Sequence, residues 1–198
     1  LFTGERKAFI ILSFSLIIIM LKQVLISLDR SAILSTSVMI FGIIYVAGLF
    51  SHLILLYNFK VEGQAVGQII VWLPIIATWI TDTGAYFTGM NLGKNALAPN
   101  ISPNKTIEGA LGGLVASIVV TMLMSNYLGF GYIHGAILGV IISLGAQLGD
   151  LCESAFKRDA QIKDSGDVIP GHGGILDRID SLLFALPIVY YYVKFIVF

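Results

Sequence analysis

Long apolar runs recur along this chain and constrain its fold more than any other feature. A membrane-spanning helix needs roughly 20 mostly apolar residues, because the hydrocarbon core is about 30 Å thick and each residue rises about 1.5 Å. Only 12% of the 198 residues are charged and the mean hydropathy is +0.89, which excludes a soluble domain. The runs are unbroken, unlike the alternating blocks of about 10 residues in a transmembrane barrel. The sequence therefore predicts an all-α, polytopic membrane helix bundle with spans at residues 8–28, 32–57, 66–90, 108–128, 132–158 and 177–198.

Charge is concentrated in one segment, residues 147–181. This segment holds seven of the twelve acidic residues and four of the twelve basic residues. Its first part continues one apolar run and its last part begins another, so the carboxylates are expected at helix ends, where a membrane meets water. Polar chemistry on a lipid would have to take place at that level.

Two carboxylate faces are predicted on the fifth and sixth spans, because helical residues three and four apart share a face. Facing carboxylates form a cage for a hard cation such as Mg²⁺, which usually keeps water and substrate phosphate among its ligands. The faces consist of Asp150, Glu153, Ser154 and Lys157 on the fifth span and Asp177, Asp180 and Ser181 on the sixth.

The segment between these faces supplies positive charge and exposed backbone. Cations beside a metal suit a triphosphate, and glycines expose N–H groups and tolerate unusual dihedral angles. Residues 172–174, His-Gly-Gly, are also typical of an esterase oxyanion loop, but the chain has no Gly-x-Ser-x-Gly elbow. The residues concerned are Lys157, Arg158, Lys163 and Arg178, with Gly166, Gly171, Gly173 and Gly174.

An acidic residue, Asp82, lies near the C-terminal end of the third span. An ionisable residue at that depth is by default a functional hypothesis. Because Thr81 and Thr83 flank it, the alternative is a structural carboxylate capped by hydroxyl groups. Gly84 and Gly89 allow a neighbouring helix to approach closely.

A polar loop at residues 91–106 follows the third span and carries Lys94 and Lys105. Its glycine, proline and asparagine residues predict turns. Lysines beside a helix N-terminus suit a phosphate, although two loop lysines can also be merely solvated. The loop is not a Walker P-loop, because Lys94 is followed by Asn95.

Glycines recur at a spacing of four in the fourth and fifth spans, the pattern that lets membrane helices touch backbone to backbone. One such groove on the fifth span predicts a homodimer interface. A second groove lies nearer the carboxylates and is expected to pack within the subunit. The fourth span has Gly109 and Gly113, the predicted interface has Gly131, Gly135 and Gly139, and the inner groove has Gly145 and Gly149.

Positive charge on short loops predicts the orientation. The loops after the first, third and fifth spans carry seven basic residues, against four on the other side. The active site is therefore expected at the cytoplasmic end of a multi-pass protein of the cell membrane. The formal net charge of zero gives no reason to expect nucleic acid as a partner.

Residues 154–180 resemble the signature of the phosphatidate cytidylyltransferases, also called CDP-diacylglycerol synthases. They read Ser-x-Phe-Lys-Arg, four residues, Lys-Asp, then from residue 169 Ile-Pro-x-His-Gly-Gly-Ile-x-Asp-Arg-Ile-Asp, with no departure from the signature. Residues 82–86, Asp-Thr-Gly-Ala-Tyr, and 102–109, Ser-Pro-Asn-Lys-Thr-x-Glu-Gly, also resemble this family. The resemblance covers roughly residues 79–181.

The resemblance implies transfer of CMP from CTP to the phosphate of phosphatidic acid, giving CDP-diacylglycerol and pyrophosphate in phospholipid biosynthesis. It implies a divalent cation, expected to be Mg²⁺, with a second cation as an option. Residues 1–65 would be N-terminal membrane helices, with further residues missing before them, and residues 66–198 a catalytic membrane domain. CTP, phosphatidic acid, the lipid bilayer and a second copy of the chain are the expected partners.

Residue roles are assigned on this resemblance. Asp150 and Asp177 are the expected metal ligands, supported by Asp180, Glu153 and Asp82. His172 either donates to a phosphate oxygen or only shapes its turn. The expected catalytic set is Asp150, Asp177, Lys163, Arg178 and His172, and the substrate-binding set is Lys157, Arg158, Lys105, Lys94, Ser154, Gly173 and Gly174.

Two alternatives remain open. An ion-coupled transporter also places carboxylates inside a membrane, but transporters tend to have repeats and midplane charges, and no repeat is visible here. Within the enzyme class, the alternative is a related CTP-using enzyme that acts on an isoprenoid or an archaeal ether lipid.

Overall fold

The computed structural model describes residues 2–26, 32–166 and 174–198, and nearly all of its secondary structure is helical. The predicted all-α membrane bundle is confirmed, with a small hairpin in addition. The elements are α1 Phe2–Ile26, α2 Ala32–Ile43, a π-helical turn Ile44–Gly48, α3 Leu49–Tyr57, α4 Gly67–Ile70, α5 Trp72–Leu92, β1 Ala96–Ala98, β2 Ser102–Thr106, α6 Ile107–Tyr127, α7 Tyr132–Asp159, α8 Leu176–Tyr192 and a π-helical turn Val193–Val197.

Helices long and apolar enough to cross a membrane number five within the described residues. The first predicted span, 8–28, falls on α1 and partly outside the described residues, and its apolar part, Ser13–Leu25, is shorter than these five. The five are Ala32–Tyr57, Gly67–Leu92, Ile107–Tyr127, Tyr132–Asp159 and Leu176–Val197.

The chain divides into two compact units, Leu1–Gly48 and Leu49–Phe198. The second unit begins before residue 66 because α3 packs against α8, where His52 Nε2 lies 3.4 Å from the Tyr191 hydroxyl. The functional division expected after residue 65 stays a prediction.

In the second unit, α5 packs on α6, α6 on α7 and α7 on α8. Small residues set the close approach of α5 and α6: a Cβ atom on Gly84 would lie 2.8 Å from Ala116 Cβ, and one on Gly113 would lie 2.6 Å from Thr81 O. The apolar core of the unit includes Leu73, Leu138, Ile142, Leu186 and Val189. Backbone contact between neighbouring helices therefore holds the helices that carry the predicted site residues.

The glycine groove predicted as a dimer interface is filled by α6 of the same chain. The Thr121 hydroxyl donates to Gly135 O at 2.8 Å, and the Ser117 hydroxyl donates to Gly139 O at 3.0 Å. A Cβ atom on Gly135 would lie 2.6 Å from the Cα atom of Met122. The assignment of Gly135 and Gly139 to a dimer interface is therefore wrong, because their open face is what lets α6 and α7 meet.

The other glycines of this region have separate roles. Gly131 precedes α7 at φ 82°, a left-handed conformation that favours glycine. Gly149 packs within the subunit as predicted, since a Cβ atom there would lie 2.7 Å from Asp180 O on α8. Gly145 faces the side chain of Ile188, which also lies on α8.

Part of the predicted polar loop at residues 91–106 is an antiparallel hairpin rather than irregular chain. Strand β1 pairs with β2 so that Ala96 lies opposite Thr106 and Ala98 opposite Ser102. Thr106 then caps α6, since its hydroxyl accepts a hydrogen bond from Gly109 N at 3.1 Å. Lys105 is thereby placed in a strand, directly before a capped helix.

Replacing Gly135 by leucine is predicted to lower the stability of the fold rather than break a dimer. A large side chain would have to push α6 away from α7, and overpacking of this kind typically costs about 1–3 kcal/mol. We expect the melting temperature in detergent to fall by several degrees. Gly42→Leu is the matched control, because a Cβ atom on that helical glycine meets nothing within 4 Å. If Gly135→Leu left the melting temperature unchanged but lowered the mass of the detergent-solubilised particle, the dimer interpretation would be favoured instead.

Candidate active site

Three carboxylates meet where α7 packs on α8. One oxygen atom from each of Asp150, Glu153 and Asp180 lies within 4.8 Å of the others, an arrangement that could hold a metal ion. Gly149 permits this meeting, because its missing side chain leaves room for the α8 backbone at Asp180. The structure thus brings together three of the five predicted metal ligands, one turn apart on α7 and opposite on α8.

Glu153 is the most deeply buried member of this cluster, with 1% of its surface exposed. Neither of its carboxylate oxygens accepts a hydrogen bond from any residue that the structure describes. Lys157 Nζ lies 2.6 Å from Glu153 Oε2 as an ion pair without hydrogen-bond geometry. A buried carboxylate without hydrogen bonds is costly, so these oxygens suit a cation. An oxygen-only donor set fits Mg²⁺ or another hard cation.

Asp177 is not one of these three carboxylates, although it shares Lys157 with Glu153, and both of its oxygens already accept hydrogen bonds. Its Oδ1 accepts from Lys157 Nζ at 2.7 Å. Its Oδ2 accepts from Ser165 N at 2.9 Å, from the Ser165 hydroxyl at 2.8 Å and from Gly174 N at 2.8 Å. Asp177 therefore joins the residues that flank segment 167–173, and its predicted role as a metal ligand stays a prediction.

A cavity of about 460 Å³ adjoins the carboxylate cluster. It lies between α5, the hairpin, α6 and α7, and Lys105 Nζ pairs with Asp150 Oδ2 at its wall. Both polar and apolar side chains line the cavity, so it suits a molecule with both kinds of surface. The polar lining includes Asp82, Ser102, Asn104, Lys105, Gln147 and Asp150, and the apolar lining includes Tyr86, Met90 and Leu97.

Asp82 faces this cavity rather than its neighbouring hydroxyl groups. Thr81 donates to Ala77 O at 2.8 Å, and Thr83 donates to Trp79 O at 2.7 Å. Both hydroxyl protons are therefore used by the helix itself. This arrangement favours the functional interpretation of Asp82 over a carboxylate capped by hydroxyl groups.

Of the remaining predicted residues, Ser154 and Arg158 make contacts with the cluster or the hairpin. The Ser154 hydroxyl contacts Asp150 Oδ1 at 3.4 Å. Arg158 reaches the hairpin, where its Nε donates to Ile101 O at 3.4 Å. The side chains of Lys94, Lys163 and Arg178 are exposed, and His172 and Gly173 lie outside the described residues.

Sequence reasoning missed three residues that shape the site. Gln147 lines the cavity and donates to Ala110 O at 3.2 Å; its position one turn before Asp150 on the same helix face was an available signal. Ser165 had no such signal, because Asp177 is distant from it in sequence. Glu108 belongs to the motif at residues 102–109, but no periodicity relates it to its partners Lys94 and Asn95.

These features define a multi-pass helical membrane protein whose carboxylates and lysines gather beside an amphipathic cavity. Residues 2–196 match the Cytidylyltransferase family, and the chain belongs to that family. The predicted resemblance is thereby confirmed.

Relatives from several bacteria agree with this assignment. The chain is 40% identical over 187 residues to the phosphatidate cytidylyltransferase of Staphylococcus aureus (strain COL), covering 93% of this chain and 68% of that protein. The same identity and coverage hold for the phosphatidate cytidylyltransferase of Staphylococcus saprophyticus. Identity to the Bacillus subtilis (strain 168) phosphatidate cytidylyltransferase is 43% over 150 residues, covering 75% of this chain and 54% of that protein.

Removing the Asp177 carboxylate is predicted to loosen the two chain segments that it joins. In Asp177→Ala the amide protons of Ser165 and Gly174 lose their acceptor, so their hydrogen exchange should become faster. Asp164→Ala is the control, because this substitution removes the same charge from an exposed residue next to Ser165. Unchanged exchange at both amides, measured by mass spectrometry on peptides that contain them, would contradict this role.

Proposed function

We propose that this chain transfers CMP from CTP to phosphatidic acid, giving CDP-diacylglycerol and pyrophosphate. The observation that carries the proposal is the carboxylate cluster beside the amphipathic cavity, with Lys105 paired to Asp150 at its wall. A lipid phosphate needs polar groups at its head and apolar walls along its tail, and one cavity offers both. The names of the relatives point to the same reaction.

Asp150, Glu153 and Asp180 are the proposed ligands of Mg²⁺. The oxygens of Glu153, which accept no hydrogen bond from a described residue, and the oxygen-only donor set support this assignment. A bound divalent cation would supply charge neutralisation for the two phosphate groups that must approach each other. Asp82 faces the same cavity and is the proposed ligand of a second cation. Asp177 stays a candidate ligand, although its Oδ1 accepts a hydrogen bond from Lys157 in the structure.

Lys105 and Lys157 are the proposed partners of substrate phosphate closest to the cluster. Each is paired with a carboxylate in the structure, and each can instead donate charge-assisted hydrogen bonds to phosphate oxygens. Arg158, Lys163 and Arg178 would add positive charge from the end of α7 and the start of α8. Lys94 and His172 are further candidates in this set, with Ser154, Gly173 and Gly174 as uncharged donors.

The reaction requires positioning more than acid–base chemistry. A phosphate oxygen of the lipid forms a bond to the α-phosphorus of CTP, while the bond from that phosphorus to the bridging oxygen of the β-phosphate breaks. The electron pair leaves with pyrophosphate, whose charge the basic residues would stabilise. No general base is needed, because the attacking phosphate is already anionic. The chain's contribution is to hold two anions in line.

The membrane orientation and the assembly are also proposals. The chain is a multi-pass membrane protein by its apolar helices, and we place the cavity on the cytoplasmic side, where CTP is available, on the distribution of basic residues. Association into a homodimer stays a prediction. With the groove at Gly135 and Gly139 occupied by α6, the N-terminal helices are the next candidates for that interface.

The activity itself is tested with purified chain, CTP and phosphatidic acid. We expect pyrophosphate release that depends on both phosphatidic acid and a divalent cation, and we expect Asp150→Asn to abolish it while the protein still inserts and purifies. Asp159→Asn is the matched control, because this exposed carboxylate lies on the same helix. Release that needs an isoprenoid phosphate instead of phosphatidic acid would favour the alternative enzyme. Near wild-type turnover by Asp150→Asn would contradict the cation site.

Lys163 and Arg178 are predicted to contact phosphate rather than solvent in the substrate complex. Neutralising either should lower kcat/KM for CTP at least about tenfold, since a hydrogen bond to a charged group is worth about 1.5–3 kcal/mol. Lys194→Gln is the control, because Lys194 lies beyond the other end of α8, near the rings of Tyr190 and Phe195. A loss of kcat/KM no larger than that of Lys194→Gln would indicate that both residues are only solvated.

A further inference from the structure

Glu108, in the first turn of α6, ties together the two ends of the hairpin. Its Oε2 accepts hydrogen bonds from the backbone N–H groups of Lys94 at 3.0 Å and Asn95 at 3.2 Å. Its Oε1 accepts from Asn95 Nδ2 at 2.7 Å. The chain that enters the hairpin is therefore fixed to the helix that leaves it, with Ile107 N donating to Asn95 O at 2.9 Å beside this contact.

The hairpin carries Lys105 to the cavity. Lys105 lies in β2, and its ammonium group pairs with Asp150 on α7. Near the hairpin turn, Arg158 on α7 donates to Ile101 O at 3.4 Å. Asp150 and Arg158 are eight residues apart, or roughly 12 Å along the helix. The hairpin thus lies along α7 with two contacts on that side and Glu108 at its base.

We propose that Glu108 is a positioning residue for the reaction, whose carboxylate sets where the Lys105 ammonium lies in the cavity. The inference rests on the proposed function, in which Lys105 binds substrate phosphate. Glu108 is not among the residues that line the cavity, so it acts through the hairpin rather than on the substrate.

The chemistry of the contact explains why a carboxylate is needed there. Three N–H donors converge on two oxygens, which a carboxylate accepts without donating in return. An anion in the first turn of a helix is also favoured by the helix dipole. Because the contact is partly exposed, water can replace Glu108 when it is removed. The expected consequence is a hairpin that moves relative to α7, with the helices still folded.

A double-mutant cycle tests whether Glu108 acts through Lys105. Glu108→Ala should lower kcat/KM about 10- to 100-fold in the parent chain, since a misplacement of about 1 Å can cost about that much. In a Lys105→Met background the same change should cost less than about threefold, because residues that act together are non-additive. Equal losses in both backgrounds would overturn the proposal. Glu62→Gln, at an exposed carboxylate before α4, is the control.

Exchanging the donor and the acceptor provides a rescue that a general loss of stability would not give. Glu108→Gln puts an NH₂ group opposite Asn95 Nδ2, and Asn95→Asp puts a carboxylate opposite Glu108, so each single change should lower kcat/KM. In the double variant the amide oxygen introduced at position 108 can accept from the backbone, while the NH₂ group of the same side chain donates to the carboxylate introduced at position 95. We expect activity to recover to within about threefold of the parent, a coupling of neighbours of the usual size. A double variant whose kcat/KM is no higher than that of the less active single variant would contradict the arrangement.

Two further measurements do not depend on turnover. In Glu108→Ala the amides of residues 94 and 95 should exchange faster with solvent, and an amine-reactive reagent should modify Lys105 severalfold faster as it leaves Asp150. Unchanged labelling of Lys105 would overturn the proposal even if exchange rose. If the parent chain released no pyrophosphate from CTP, the proposed function would fail while these two measurements still decided the role of Glu108.

Discussion

Pairing of carboxylates with lysines is the interaction on which the rest of the site depends. Lys157 lies between Glu153 and Asp177, and Lys105 meets Asp150. An unpaired charge in a low-dielectric interior is strongly destabilising, whereas a paired one roughly balances its desolvation cost. The lysines therefore make it possible for α7 and α8 to bring carboxylates together.

Glycines make the pairing geometrically possible. Gly149 lets the α8 backbone at Asp180 approach α7, while Gly135 and Gly139 let α6 approach the same helix from another direction, with Thr121 and Ser117 donating to their carbonyl groups. Membrane helices gain little from hydrophobic burial against each other, so close packing and interhelical hydrogen bonds hold them. These glycines thus lie at helix contacts inside the subunit, and those contacts position the charged residues.

Periodicity in the sequence predicts the carboxylate cluster because Asp150 and Glu153 are one turn apart, and it predicts the spans because apolar runs have the length of a bilayer. It does not predict the contact between Asp177 and Ser165, since Ser165 lies 12 residues earlier and meets Asp177 only after the chain closes on itself. The hairpin is missed for a related reason: its proline- and asparagine-rich sequence is typical of turns, and Glu108, which binds the chain just before β1, lies outside it. Glycine spacing indicates a contact face but carries no information on which helix occupies it.

Ion pairs between the site's own groups give the proposed function a further consequence. A lysine that moves from its carboxylate to substrate phosphate leaves a carboxylate that needs another positive charge nearby. Conversely, a cation that displaces a lysine from its carboxylate leaves a lysine that needs an anion. Occupation of the cation site and occupation of the phosphate site are therefore each made easier by the other, and by linkage the coupling must be equal in both directions. The exchange of partners at Lys105 and Lys157 would thus favour a complex that contains both substrate phosphate and cation over a complex with either one alone.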